Sequence, residues 1–180
     1  MDKVFESWLE RQHADGMALS AASDSMELAA EPSVRPPRRF IAKFDCPTLV
    51  KEGAEVTRTD GFAVLFQFPP DYLRSVIDAA RVVNLLAPVH AFHPNVSPPF
   101  ICIGHVTPGT GLCELIYQVH EILTYSKYTP REDDALNRDA CAWARRHVDM
   151  FPLSKTPLRR HTVDFSIDEL SNPLVAGGAS

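Results

Sequence analysis

Proline occupies 15 of the 180 positions, and seven of these lie between Pro69 and Pro108. Each one fixes φ and removes an amide donor, so no long helix can cross this part of the chain, and backbone is held extended there without sheet pairing. The prolines are threaded through Phe, Val, Ile and Leu rather than through polar residues. With 45% hydrophobic and 23% charged residues the chain can bury a core, which excludes disorder for most of its length. Glycine is scarce at 8 positions, against about 13 at average usage, and no phosphate-cradling glycine loop can be drawn.

The formal net charge is −5, and the arginines are dispersed: Arg35, Arg38 and Arg39 make one small cluster, while Arg145, Arg146, Arg159 and Arg160 make two pairs. A nucleic-acid partner needs a basic face or stripe, so none is expected. No apolar stretch reaches the ~18–20 residues of a membrane span, and the polar start Met1-Asp2-Lys3 does not read as a signal peptide. The expectation is a cytoplasmic protein without a membrane partner. Cys46, Cys102, Cys113 and Cys141 lie far apart in a chain too large to need disulfide staples, and they read as reduced thiols. Cys102, His105, Cys113 and His120 can be drawn as a zinc site. However, Cys113 and His120 lie seven apart on one helix, two turns from each other, so no metal and no cofactor is expected.

The elements follow from periodicity. Asp2 can cap a helix whose apolar face is Val4, Phe5, Trp8 and Leu9, weakening at Gly16. Residues 18–30 read either as a second turn-rich helical piece or as a loose arm. After Pro32, Pro36 and Pro37 the period becomes two, with Phe40, Ala42, Phe44 and Cys46 on one side of a strand. Residues 56–68 read as one or two more strands, with Asp60-Gly61 as the turn between them, and residues 81–90 as the most buried strand. Residues 92–111 form a long irregular loop, a length that in a compact domain often carries function. Leu112, Leu115, Ile116, Val119, Ile122 and Leu123 then repeat at helical spacing. A further helix follows Asp133-Asp134, with Leu136, Ala140, Trp143, Ala144 and Val148 on one face. Strands grouped before the closing helices imply an α+β fold: an N-terminal helix, an antiparallel meander of about four strands, a long loop, then helices against one sheet face. Residues 1–152 read as one domain with a core at about 38–150, and 153–180 as a C-terminal tail.

Four short motifs lie in this frame: Phe68-Pro69-Pro70-Asp71-Tyr72, His93-Pro94-Asn95, Ile101-Cys102-Ile103 and Asp133-Asp134-x-Leu136-Asn137. In this order and rough spacing they resemble the ubiquitin-conjugating enzymes over residues 40–148. That family carries a Phe-Pro-x-Asp-Tyr turn, a His-Pro-Asn motif, a nucleophilic cysteine and an Asp-Asp-Pro-Leu loop. Leu73 and Arg74-Ser75 stand where the family has prolines, and no tryptophan follows the cysteine. The nearest resemblance is thus to the divergent bacterial branch encoded beside a ubiquitin-like protein and an activating enzyme, in operons some of which defend against phage. The resemblance implies a UBC-like fold, with an activating enzyme, a ubiquitin-like protein and a protein target as partners.

It also implies roles. The Cys102 thiolate would take a ubiquitin-like C-terminus as a thioester, and a target amine would then attack. The Asn95 amide would donate to the oxyanion, and Asp134 would orient and help deprotonate the amine. The bland rivals are a buried apolar Cys102, an Asn95 that closes a turn and an Asp134 that caps a helix. His93 reads as a structural histidine, and His105 as either a proton acceptor beside the thiolate or an exposed loop residue. A catalytically inactive scaffold binding the modifier or the activating enzyme is the alternative of a different class. A papain-like peptidase is a poor match, since Cys102 precedes a Gly- and Pro-rich loop rather than opening a helix.

Overall fold

A computed structural model describes residues 2–160. Asp2 caps α1 (Lys3–Ala21), its carboxylate accepting from the Val4 amide at 3.0 Å. Phe5, Trp8, Leu9, Gln12, Gly16 and Leu19 fall on one stripe, and all are buried. The helix runs through Gly16 without weakening, because packing there requires glycine. A Cβ at 16 would stand 2.7 Å from Leu28 Cδ2 and 2.9 Å from Leu112 Cδ2. Phe5 and Trp8 face the core; they are 3% and 6% exposed, and Trp8 packs against Phe68 and Tyr72.

Residues 18–30 are neither a second helical piece nor a loose arm. They complete α1 and then form β1 (Met26–Ala30), whose buried Met26 and Leu28 alternate with an exposed Glu27 and Ala29. The next strands are β2 (Arg39–Glu52), β3 (Glu55–Gln67) and β4 (Val83–Ala87), followed by the two-residue pair β5 (Val96–Ser97) and β6 (Phe100–Ile101). The sheet is antiparallel in the order β1-β2-β3-β4-β6-β5, so it has six strands where about four were expected. The unexpected strands are β1 and the small β5–β6 hairpin inside the segment expected to be irregular, while residues 56–67 belong to one strand rather than two.

The long β2–β3 hairpin turns at Gly53-Ala54, not at Asp60-Gly61. Gly53 has φ +60 at the first central position of a two-residue loop, where a type II′ turn places glycine. Gly61, with φ +86, instead answers a bulge, where Asp45 and Cys46 of β2 oppose that single residue. Pro47 sits at the edge of the same bulge, which is where a strand tolerates proline. β4 is not the most buried strand, since Leu86 is 42% exposed. The inner face of β2 and β3 is Phe40, Ala42, Phe44, Phe62, Val64 and Phe66, all buried, while Ile41 and Lys43 face outward.

Two helices close the chain on the sheet. α2 (Leu112–Leu123) buries Leu112, Leu115, Ile116, Val119, Ile122 and Leu123 beside α1 in the main core. α3 (Arg138–Ala144) is shorter than its pattern promised: Leu136 precedes it, and Val148 lies in a separate 3₁₀ turn. α3 belongs to a second core of Leu49, Phe92, Tyr125, Ala140 and Ala144, packed under the loop that carries His93 to Asn95. Residues 153–160 hold no helix or strand, yet Leu158 is buried in the main core and the Arg160 amide donates to the Ala22 carbonyl. The rest of the expected tail, 161–180, lies outside the described residues. Among the described residues no helix is long and apolar enough to cross a membrane.

Candidate active site

Three of the prolines of residues 69–108, Pro94, Pro98 and Pro99, shape the backbone around Cys102. Ser97-Pro98-Pro99-Phe100 closes the β5–β6 hairpin, with a cis Pro98–Pro99 bond at its tip. β6 is tied to the sheet through Asn84 opposite Phe100 and the Leu85 amide donating to the Pro99 carbonyl at 2.7 Å. Cys102 follows directly. Its amide donates to the Asn95 carbonyl at 2.8 Å, so the hairpin holds the cysteine against the His-Pro-Asn turn. Four residues later Val106 bridges Ile77, with Ile77 N to Val106 O at 3.1 Å. The chain between these two anchors turns at Gly104, whose φ is +86.

Asn95 is a clamp. Its Oδ1 accepts from the Thr129 amide at 2.8 Å; its Nδ2 donates to Thr129 Oγ1 at 2.9 Å and to the Cys102 carbonyl at 3.4 Å. One side chain thereby joins the cysteine loop to the loop before α3. The backbone adds to this, since the Asn137 amide donates to the Pro94 carbonyl at 3.0 Å. His93 fixes the turn from below: its Nδ1 accepts from the Asn95 amide at 3.0 Å, and its ring stands edge-on to Tyr125 at 4.3 Å. Burial pushes the His93 pKa down to about 3, only partly opposed by the Lys127 backbone, so the ring is neutral and its Nδ1 is occupied. It is a structural histidine and not a base.

The Phe68–Tyr72 motif acts at a distance. The Tyr72 amide donates to the Pro69 carbonyl, and the Tyr72 hydroxyl reaches the Thr110 carbonyl at 2.8 Å, pinning the far end of the cysteine loop. Asp71 binds the Arg81 guanidinium through both oxygens, at 3.1 and 3.3 Å, and that pairing holds its carboxyl below the usual range.

Cys102 is half-buried and opens onto a cleft of about 710 Å³ between the 76–80 segment and the β5–β6 hairpin. Val76, Ile77, Phe100 and Leu136 give this cleft apolar walls; His105 and Asp78 are the ionisable side chains that line it with Cys102. Leu136 and the 76–80 wall are site residues that sequence reasoning missed. An exposed leucine just after two aspartates was the available signal, and it was assigned to the helix face instead.

The site residues are brought together unequally. Cys102 and Asn95 are in direct contact. Asp134 is not among the residues lining the cleft; its carboxylate lies 3.4 Å from Arg131 Nε on the exposed loop, two residues before Leu136. Nor does it cap α3, because Asn137 does, accepting from the Ala140 amide at 3.0 Å. The remaining cysteines are placed apart from the cleft. Cys46 and Cys141 are buried and Cys113 is half-buried, and burial raises the pKa of each thiol. No protein-family model matches the chain, and no curated protein matches it.

Proposed function

We propose that this chain is a ubiquitin-conjugating-like transferase with a UBC-like fold, which accepts a ubiquitin-like C-terminus from an activating enzyme as a thioester on Cys102 and passes it to a target amine. The observation that carries the reading is the pairing of Cys102 with Asn95. The half-buried thiol opens onto an apolar cleft, while the neighbouring amide stands within hydrogen-bond reach of its carbonyl. To serve an oxyanion this amide would turn from the Cys102 backbone carbonyl, and that 3.4 Å bond is the weakest of its three and the easiest to redirect. The four motifs in family order support the same reading, and a role in bacterial antiviral defence follows from the branch they resemble.

The engagement of all three Asn95 bonds and the pairing of Asp134 with Arg131 favour a second reading, an inactive scaffold for a ubiquitin-like protein or its activating enzyme. One experiment separates the two. Incubation with an activating enzyme, a ubiquitin-like protein and ATP yields a thiol-sensitive adduct in the transferase and binding without an adduct in the scaffold. Cys102→Ala abolishes the adduct; its persistence in that variant would rule out Cys102 as the acyl carrier.

A further inference from the structure

A charged amine cannot attack a thioester, so a transferase of this kind needs a proton acceptor at the mouth of its cysteine cleft. The carboxylate that the motif pattern offers, Asp134, is paired with Arg131 and is not among the residues that line the cleft. His93 is buried with its Nδ1 already accepting from Asn95. Asp78 lines the cleft, but its Oδ1 accepts from the Ala80 amide at 2.9 Å, capping the 3₁₀ turn Ala79–Arg81. This leaves His105 as the imidazole that shares the cleft with Cys102. Its place is set by its neighbours. Val106 is 2% exposed and bridged to Ile77, which seats the next residue on the core while exposed His105 stays on the cleft wall. Both ends of the 102–106 segment are pinned, at Asn95 and at Ile77, so the imidazole is carried on a held loop even though it is exposed.

Resting on the transferase reading, we infer that His105 is the general base of the second half-reaction, moving a proton from the incoming amine to the departing Cys102 sulfur. Its imidazole takes one proton from the ammonium. The freed nitrogen lone pair forms the C–N bond at the thioester carbonyl. As the tetrahedral intermediate collapses, the C–S bond breaks and its electron pair returns to Sγ. The imidazolium then protonates that thiolate, and the second nitrogen proton leaves to solvent, so one amide and one thiol replace one thioester and one ammonium. Imidazole suits both transfers because one ring nitrogen can accept a proton and then return it.

The test acylates Cys102 directly with a synthetic peptide ending in Gly-Gly, supplied as its mercaptoethanesulfonate thioester, and follows single-turnover discharge to free lysine and to hydroxylamine. Hydroxylamine is uncharged at neutral pH and needs no base. His105→Gln and His105→Ala should acylate as the wild type does and discharge to hydroxylamine normally. Their discharge to lysine should be slower by about 100-fold at pH 7, recover as pH rises and, in His105→Ala, recover with added imidazole. Equal slowing toward both nucleophiles, or wild-type speed toward lysine, would overturn the base while leaving the transferase intact. A wild-type chain that is not acylated at Cys102 would overturn the transferase reading and the base with it.

Discussion

Asn95 holds two loops together, and in the proposed transfer it would also donate to the oxyanion; these two roles can be separated by substitution. Asn95→Ala deletes all three side-chain bonds and leaves the Thr129 amide without its acceptor, at a cost of about 1–3 kcal/mol. Asn95→Asp keeps an acceptor for Thr129 N, and the Thr129 hydroxyl can turn to donate, so stability should stay within about 1 kcal/mol of wild type. The aspartate has no N–H to offer, so discharge of a thioester to lysine should fall by about 100- to 1,000-fold in a protein that is still folded. Thermal melts and single-turnover rates on the same samples decide the matter. A stable Asn95→Asp that discharges at the wild-type rate would make Asn95 a clamp and nothing more. Cys102 and Asn95 were legible as a pair because the motif keeps them close in sequence, and the hairpin that joins them is local. The place of Asp134 was not legible, because its outcome depends on whether Arg131, three residues away, or the cleft claims the carboxylate.

Among the elements, α1 and α2 are joined by a contact between residues 100 positions apart. α2 begins at Gly111, which has no side chain to cap the helix; instead Gln12 Oε1, from the buried face of α1, accepts the Leu112 amide at 2.8 Å. Glycine at 111 leaves room for this, since a Cβ there would stand 3.0 Å from Gln12 Oε1. Gln12→Leu should orphan a buried N–H and cost about 1–3 kcal/mol, read as a fall of several degrees in melting temperature. Gln12→Glu restores an acceptor and places a negative charge at a helix N-terminus, so it should recover most of that loss. Both variants melting with the wild type would remove the cross-helix cap from the account. The two long helices could be read in the sequence because their apolar residues recur at helical spacing in both. β1 could not, because its alternation amounts to a single step, Met26-Glu27-Leu28, before two alanines that give almost no contrast. β5 and β6 are two residues each, too short for any period to register. The misplaced hairpin turn had a different cause: Asp60-Gly61 is the stronger local turn signal, and only the register of β2 against β3 assigns Gly61 to the bulge and Gly53 to the turn.

At the scale of the whole fold, two buried histidines among the described residues are held neutral, one beside each core. His93 supports the Asn95 turn above the smaller core. His120, on α2 in the main assembly, lies 6.2 Å from the Phe44 ring, and its Nε2 has no hydrogen-bond partner among the described residues. Burial pushes their pKa values down to about 3 and about 4. In the unfolded chain a histidine binds its proton near pH 6.5. As pH falls below that value the unfolded state takes up protons that the fold refuses, so stability drops, and it keeps dropping until each folded pKa is passed. The loss approaches about 1.4 kcal/mol per pH unit for each histidine, or roughly 2 kcal/mol each by pH 5. Against a total of about 5–15 kcal/mol for a domain, two such terms weaken the whole fold well before the carboxylates begin to titrate. Asp2, Asp71 and Asp133 have lowered pKa values, so their contributions are lost only further down, below the ordinary carboxylate range. His120→Leu removes one of the two histidines together with an orphaned polar atom. It should be as stable as wild type at pH 7 or slightly more so, and should lose about half of the stability difference between pH 7 and pH 5 measured by urea unfolding. His93 has no such benign replacement, because its ring nitrogen holds the Asn95 amide, so acid should disable the cysteine cleft and the fold together. An unchanged pH 7 to pH 5 difference in His120→Leu would show that the acid sensitivity resides elsewhere.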